Sequence, residues 1–263
     1  MNGTTTAQLA EKTAKAVTGS VEEWTGFLQS AARLYKYSYP EQLLIYAQRP
    51  DATACASYEI WNQTMRRYVR RGARGIALPD GAGAVRYVFD VADTGARKSS
   101  REVKTWALDE NNREAVAHAL ETQYGSAAKL GIAGQLEEIA MQQSMDYWQW
   151  HQDELRGIVD GSFLEGYDEL NLEIAFRNTA AASVKYMLLS RCNLAREHQI
   201  EPEELAGVLE WNTSAASGAL GSAISELSEG VLRQIERTIR QYERSQNHDE
   251  RTDVYLSLIH ISE

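Results

Sequence analysis

The sequence predicts an α+β protein: N-terminal helices with a small antiparallel β-sheet, followed by a mainly helical region. Three observations carry this. Apolar residues recur at helical spacing before residue 50 and along most of the chain after Trp106. The stretch from 68 to 92 instead combines closely spaced glycines with alternating apolar and polar residues. Three of the four prolines, Pro40, Pro50 and Pro79, fall in the first third, so the broken part of the chain is N-terminal and the long helices follow it.

The elements follow in order. Residues 1–20 are rich in Thr and Ala and are expected to be flexible, with a loose helix over about 7–17 ended by Gly19. Ser20 followed by Glu23 has the spacing of a capping box, and it opens a helix with Trp24, Phe27, Leu28, Ala31 and Leu34 on one face. Residues 35–39 break that pattern. Pro40 suits the first turn of a second helix, which runs through Leu43, Leu44, Tyr46 and Ala47 to Arg49 and stops at Pro50. A short helix is expected over 58–65. Two arrangements are open for the residues after it: a helix, which aligns Arg66, Arg70 and Arg74 on one face, or a hairpin of 68–71 and 76–78 around Gly72 and Gly75. Two glycines within four residues favour the hairpin. Residues 84–92 alternate as a strand, with Val85, Tyr87, Phe89 and Val91 on one side. A polar connection over 94–104 leads to helices expected from Asn111 or Asn112 to about Tyr124, then over 127–157, 158–165, 169–192, 202–211 and 213–246.

At 263 residues and 43% hydrophobic the chain can bury a substantial core, as one or two domains. A net charge of −10 argues against nucleic acid coating the whole molecule. Within residues 24–79, however, eight Lys+Arg face three acids, so this stretch is +5 and the remainder is −15. Five arginines, Arg66, Arg67, Arg70, Arg71 and Arg74, lie within nine residues, and tyrosines are interleaved with the charge. Arginines supply phosphate contacts and aromatic faces supply base stacking, so the island reads as a nucleic-acid surface. Lys36 joins the arginines as a phosphate contact. Tyr37, Tyr39 and Tyr68 are the stacking candidates, while Trp24, Phe27, Tyr46 and Trp61 read as core. The amides of Asn62 and Gln63, next to Trp61, can meet base edges, and Gln48 is a further nucleic-acid-binding candidate.

Other chemistry finds little support. His118, His151, His198, His248 and His260 are isolated, so no two stand one helical turn apart as zinc ligands, and neither a metal nor a cofactor is expected. No glycine-rich phosphate loop ending in Lys-Ser or Lys-Thr occurs. Cys55 and Cys192 read as reduced, buried thiols. Cys192 with His198 has the composition of a nucleophile and base, but Cys192 ends an apolar helix face, so no catalytic residue is assigned. The N-terminus is too polar for a signal peptide and no run reaches the length of a membrane span, so a cytoplasmic location without membrane contact is expected.

The order Trp24-x-x-Phe27-Leu28, Tyr37-Ser38-Tyr39-Pro40-x-Gln42-Leu43-Leu44-Ile45-Tyr46-x-Gln48-x-Pro50, Ala52-Thr53, Tyr58-x-x-Trp61 and Val69-x-x-Gly72-x-x-Gly75-Ile76 resembles the N-terminal single-stranded-DNA-binding domain of ArdC-type antirestriction proteins. One departure is Glu41, where the family often has asparagine. The resemblance implies single-stranded DNA as partner, bound over residues 21–105, ahead of an acidic helical domain over 106–250. The wider chain, including DGSFLEGYDE at 160–169, is similar to the N-terminus of large proteins of Gram-positive conjugative elements. That similarity implies helicase and adenine-specific DNA methyltransferase domains further along the native polypeptide as partners. The end of the chain, LSLIHISE at 256–263, resembles a translated library adapter, so 251–263 is expected to be a non-native or truncated tail. A second reading makes the acidic half a protein-interaction scaffold or an acidic mimic of DNA.

Overall fold

A computed structural model of the chain describes residues 3–81, 84–195, 198 and 200–246. The expectations for 251–263 lie outside the described residues. In chain order the elements are helices α1 (Gly3–Val17), α2 (Val21–Arg33) and α3 (Tyr39–Gln48), strand β1 (Cys55–Ser57), a π-turn (Ile60–Thr64), and strands β2 (Tyr68–Val69), β3 (Ile76–Pro79), β4 (Val85–Asp90) and β5 (Thr94–Gly95). Helices α4 (Arg113–Tyr124), α5 (Gly131–Gly157), α6 (Glu169–Arg191), α7 (Pro202–Leu205) and α8 (Ser214–Gln246) follow. The architecture is the expected α+β, with one antiparallel sheet in the order β1-β4-β3 and a separate β2-β5 ladder beside a mainly helical body. No helix among the described residues is long and apolar enough to cross a membrane.

Local chemistry sets most boundaries. Ser20 Oγ accepts the Glu23 amide at 3.2 Å to open α2, and Ser38 with Glu41 forms the capping box of α3, where Pro40 costs no hydrogen bond. Asp168 Oδ1 accepts the Asn171 amide at 2.8 Å to open α6. Residues 158–165, expected as a helix, are instead turns. Gly161 has φ +74°, and Ser162 Oγ binds the Val159 carbonyl and the Leu164 amide, which satisfies locally the groups a helix would use.

Residues 68–69 and 76–79 form strands, but the two segments do not pair with each other as a hairpin. Tyr68 and Val69 pair with Gly95 and Thr94, whereas Ile76–Pro79 pair with Val85–Val88. The outer strand β3 is finished by a side chain: Gln48 donates to the Ala77 carbonyl at 3.0 Å and accepts from its amide at 2.9 Å. Gln48 is therefore a part of the sheet edge. On β4 the alternation has a consequence that the pattern alone left open. Val88 and Asp90 are buried, and Asp90 accepts from the amides of Thr53 and Ala54 at 2.7 and 3.0 Å. Tyr87 and Phe89 consequently stand on the other face.

One core crosses the expected boundary at 105/106. It joins Trp24, Phe27 and Leu28 of α2 to Phe176, Val184 and Leu188 of α6 and to Leu220, Ile224 and Ile235 of α8. Trp24 Nε1 donates to Ser183 Oγ at 3.0 Å within it. The expected flexible N-terminus is also drawn in, since α1 begins at Gly3, packs against α3 and α8, and buries Thr13, Ala14 and Val17. Two smaller clusters line the faces of the sheet, one with Leu34, Tyr37, Leu44, Ile76 and Val88, the other with Ala54, Ala56, Trp61 and Met65.

Candidate nucleic-acid interface

The arginine-rich segment leaves the π-turn and runs over the end of the sheet. Met65 N donates to the Ile60 carbonyl, and Arg67 N donates to the Trp61 carbonyl at 2.8 Å. To close that turn Arg66 takes φ +54°, a left-handed conformation that costs a non-glycine residue about 1–2 kcal/mol. The surroundings hold it there: Ser100 Oγ donates to the Arg66 carbonyl at 2.7 Å, and Arg101 N donates to the Met65 carbonyl at 2.9 Å. The polar connection after β5 is thus a strap fastened beneath the arginines.

Between β2 and β3 the chain makes a tight turn, with Ala73 N donating to the Arg70 carbonyl at 3.1 Å and Gly72 at φ +87°. Positive φ at the third position is the type II requirement, so Gly72 fixes the turn that carries Arg71 outward. Gly75 has a separate role. A Cβ there would meet Tyr87 and Phe89 at 3.0–3.2 Å, so the absence of a side chain lets the loop lie against two aromatic rings.

The predicted site residues separate into three groups. Arg66, Arg71 and Arg74 are exposed and make no ion pair among the described residues. Arg67 and Arg70 lie at the same end but are partly committed: Arg67 Nε donates to Thr94 Oγ1 at 2.8 Å, and Arg70 reaches the Ala92 carbonyl at 3.4 Å. Tyr68 is 41% exposed, packed across Gly95, with the Arg97 guanidinium 5.5 Å from its ring centroid. Asn62 is half-buried and donates to the Tyr58 carbonyl at 3.0 Å, on the same flank.

Lys36, Tyr37, Tyr39 and Gln48 are not on this surface. Lys36 is buried and pairs with Glu236 at 2.6 Å; Glu236 also accepts from Tyr35 OH at 2.5 Å and pairs with Arg240. Burial lowers the Lys36 ammonium to about 8, against the opposing pull of Glu236. Burial would raise Glu236, but hydrogen bonds from Lys36 and Tyr35 outweigh it, and its carboxyl falls below the usual range. Tyr37 is buried and donates to the Cys55 carbonyl at 2.9 Å. Tyr39 is buried with its ring against Gly221 of α8, where a Cβ would collide with it. Charge and aromaticity in this part of the sequence build the junction between α3 and α8 rather than a ligand surface. Glu41 is likewise occupied, pairing with Arg86 at 2.6 Å.

Sequence reasoning missed other residues here. Tyr87 and Tyr58 are 46% and 53% exposed, and Tyr58 stands edge-on to Phe89 with centroids 6.5 Å apart. The strap adds exposed Arg97 and Lys98, with Arg101 half-buried. The signals were the outer face of β4 and the run ARKSSR. From 66 to 104 ten Lys+Arg face four acids, so the basic zone is +6 and extends past the island that ends at Pro79. Elsewhere burial raises both thiols, Cys192 to about 12, so each stays protonated at neutral pH. Among the described residues no three His, Cys, Asp or Glu come together as metal ligands. Comparison of the chain with protein-family models, curated proteins and solved structures returns no match.

Proposed function

We propose that the surface built from the 66–75 segment, the 97–101 strap and the outer face of the sheet binds single-stranded DNA. The observation that carries this is that Arg66, Arg71 and Arg74, exposed and without an ion pair among the described residues, share one segment with exposed Tyr68, and that this segment lies at Gly75 against Tyr87 and Phe89, with Tyr58 beside Phe89. The cations neutralise phosphates in the strand, and the rings offer faces to unstacked bases. A duplex keeps its bases stacked inside and cannot use those faces, so the preference is for single strands. The implied setting is a mobile-element DNA-processing protein in which this region presents DNA to helicase or methyltransferase domains.

Fluorescence anisotropy with a labelled oligonucleotide tests the reading. A single strand should bind more tightly than a duplex of the same length, and Tyr58→Ala with Tyr87→Ala should remove about 1–3 kcal/mol per stacked base. Equal affinity for the two forms, or no response to losing both rings, would sink the proposal.

A further inference from the structure

Eleven large apolar side chains are notably exposed among the described residues. Three are the tyrosines just discussed; the other eight lie between Leu130 and Leu209, among them Met141, Leu170 and Ile174 at 60%, 63% and 45%. Exposed apolar groups that lie together mark interaction surfaces. Met141 lines a trough of about 500 Å³ between α5, α6 and the segment that begins with α7. α6 forms its floor with Ala175, Asn178 and Ala182. On one wall Glu137 and Met141 stand one turn apart; along the other, Glu203, Gly207 and Glu210 recur at i, i+4 and i+7. Gly207 lets that wall seat directly on α6, because a Cβ would collide with Thr179. Leu170 and Ile174 continue the line of Asn178 at four-residue steps, and the α6 stripe from 170 to 185 is about 22 Å long.

Charge narrows the occupant. The two cations of the trough are already engaged, Lys185 by Glu137 and Glu204 at 2.9 and 3.1 Å and Arg177 by Glu173 at 2.8 Å. Glu203 has no ion pair among the described residues, and Glu210 accepts only a hydrogen bond, from Tyr167 OH at 3.1 Å. We propose that this trough docks a basic amphipathic α-helix of a partner protein. Its apolar side chains would cover Met141, Ile174 and Leu170, and its Lys or Arg side chains would meet Glu203 and Glu210. An acidic helix or a nucleic acid would face repulsion from the same carboxylates. The inference stands apart from the DNA reading, which concerns the opposite charge and other elements.

The test titrates the full chain into a fluorescein-labelled helical peptide of leucine and lysine, about 14 residues long, with leucines at i, i+3 and i+4 spacing. Saturable binding is expected. Glu203→Lys with Glu210→Lys should weaken it about tenfold or more, as should Met141→Ser with Ile174→Ser, whose charge is unchanged. Glu59→Lys with Glu114→Lys, the same charge change on other faces, should shift it less than about twofold. Glu203, Met141, Ile174, Glu59 and Glu114 are exposed and Glu210 is half-buried, its carboxylate bonded to the exposed Tyr167 hydroxyl, so thermal melts should stay close to that of the unaltered chain. Oligonucleotide affinity should be unchanged in the Met141/Ile174 variant, so loss of the peptide result leaves the DNA reading intact. No binding, equal loss in the control pair, or indifference to Met141 and Ile174 would overturn the proposal. Concentration-dependent dimerisation abolished by the trough changes would also overturn it, by giving the trough to a second copy.

Discussion

Lys36 and Arg74 carry the same charge in opposite surroundings. Arg74 is exposed and makes no ion pair among the described residues, whereas Lys36 and Glu236 have side chains 2% and 8% exposed and pair with each other. Removing Lys36 takes one cation from buried Glu236 but leaves it Arg240 and the Tyr35 hydroxyl, so Lys36→Ala should cost about 1–3 kcal/mol in urea denaturation, while Arg74→Ala should change stability by less than about 0.5 kcal/mol. The sign of the pH dependence follows from Glu236. Its folded carboxyl lies below the usual 4.5, so its stabilisation is complete above that value and is lost as pH falls through the lower folded value. The stability gap between the unaltered chain and Glu236→Gln should therefore narrow in acid below pH 4.5; a gap that stays constant there would contradict the assignment. None of this was legible locally. Lys36, Tyr37 and Tyr39 look like ligand groups because the partners that claim them, Glu236, Cys55 and Gly221, lie elsewhere in the chain. The exposure of Arg71 and Arg74 could be read because Gly72 and Gly75 mark their turn in the nearest residues, whereas the π-turn closed at Arg66 leaves no such mark.

At the scale of elements, α8 offers an internal comparison. Gly221 lies under the Tyr39 ring with no room for a Cβ, while Gly218, one turn earlier, has nothing within 4 Å of that position. Gly218→Ala should stabilise by about 0.5–1 kcal/mol through helix propensity, and Gly221→Ala should destabilise by about 1–3 kcal/mol through overpacking. Thermal melts of the two variants should therefore move in opposite directions. Shifts of the same sign would mean that α3 does not rest on α8 as described. Caps and proline placement made α2 and α3 readable because they act within four residues. Strand partners were not readable, since β2 could pair with β3 or with β5 and only the bare Gly95 beneath Tyr68 decides.

At the scale of the molecule, charge and packing divide the chain differently. Charge separates a basic sheet end from an acidic helical body, and that division was visible in composition. Packing does not follow it, because α2 supplies Trp24 and Phe27 to the same core as α6 and α8. Residues 106–246 expressed alone should therefore lack a cooperative unfolding transition, and a sharp, full-amplitude melt from that piece would show two independent domains instead. The most direct test of the basic end is the salt dependence of oligonucleotide binding. Each phosphate contact on a single strand contributes a log–log slope of about −0.7, so replacing Arg66, Arg71 and Arg74 together by alanine should make the slope shallower by about 2. An unchanged slope, with affinity retained, would show that these arginines do not hold the strand.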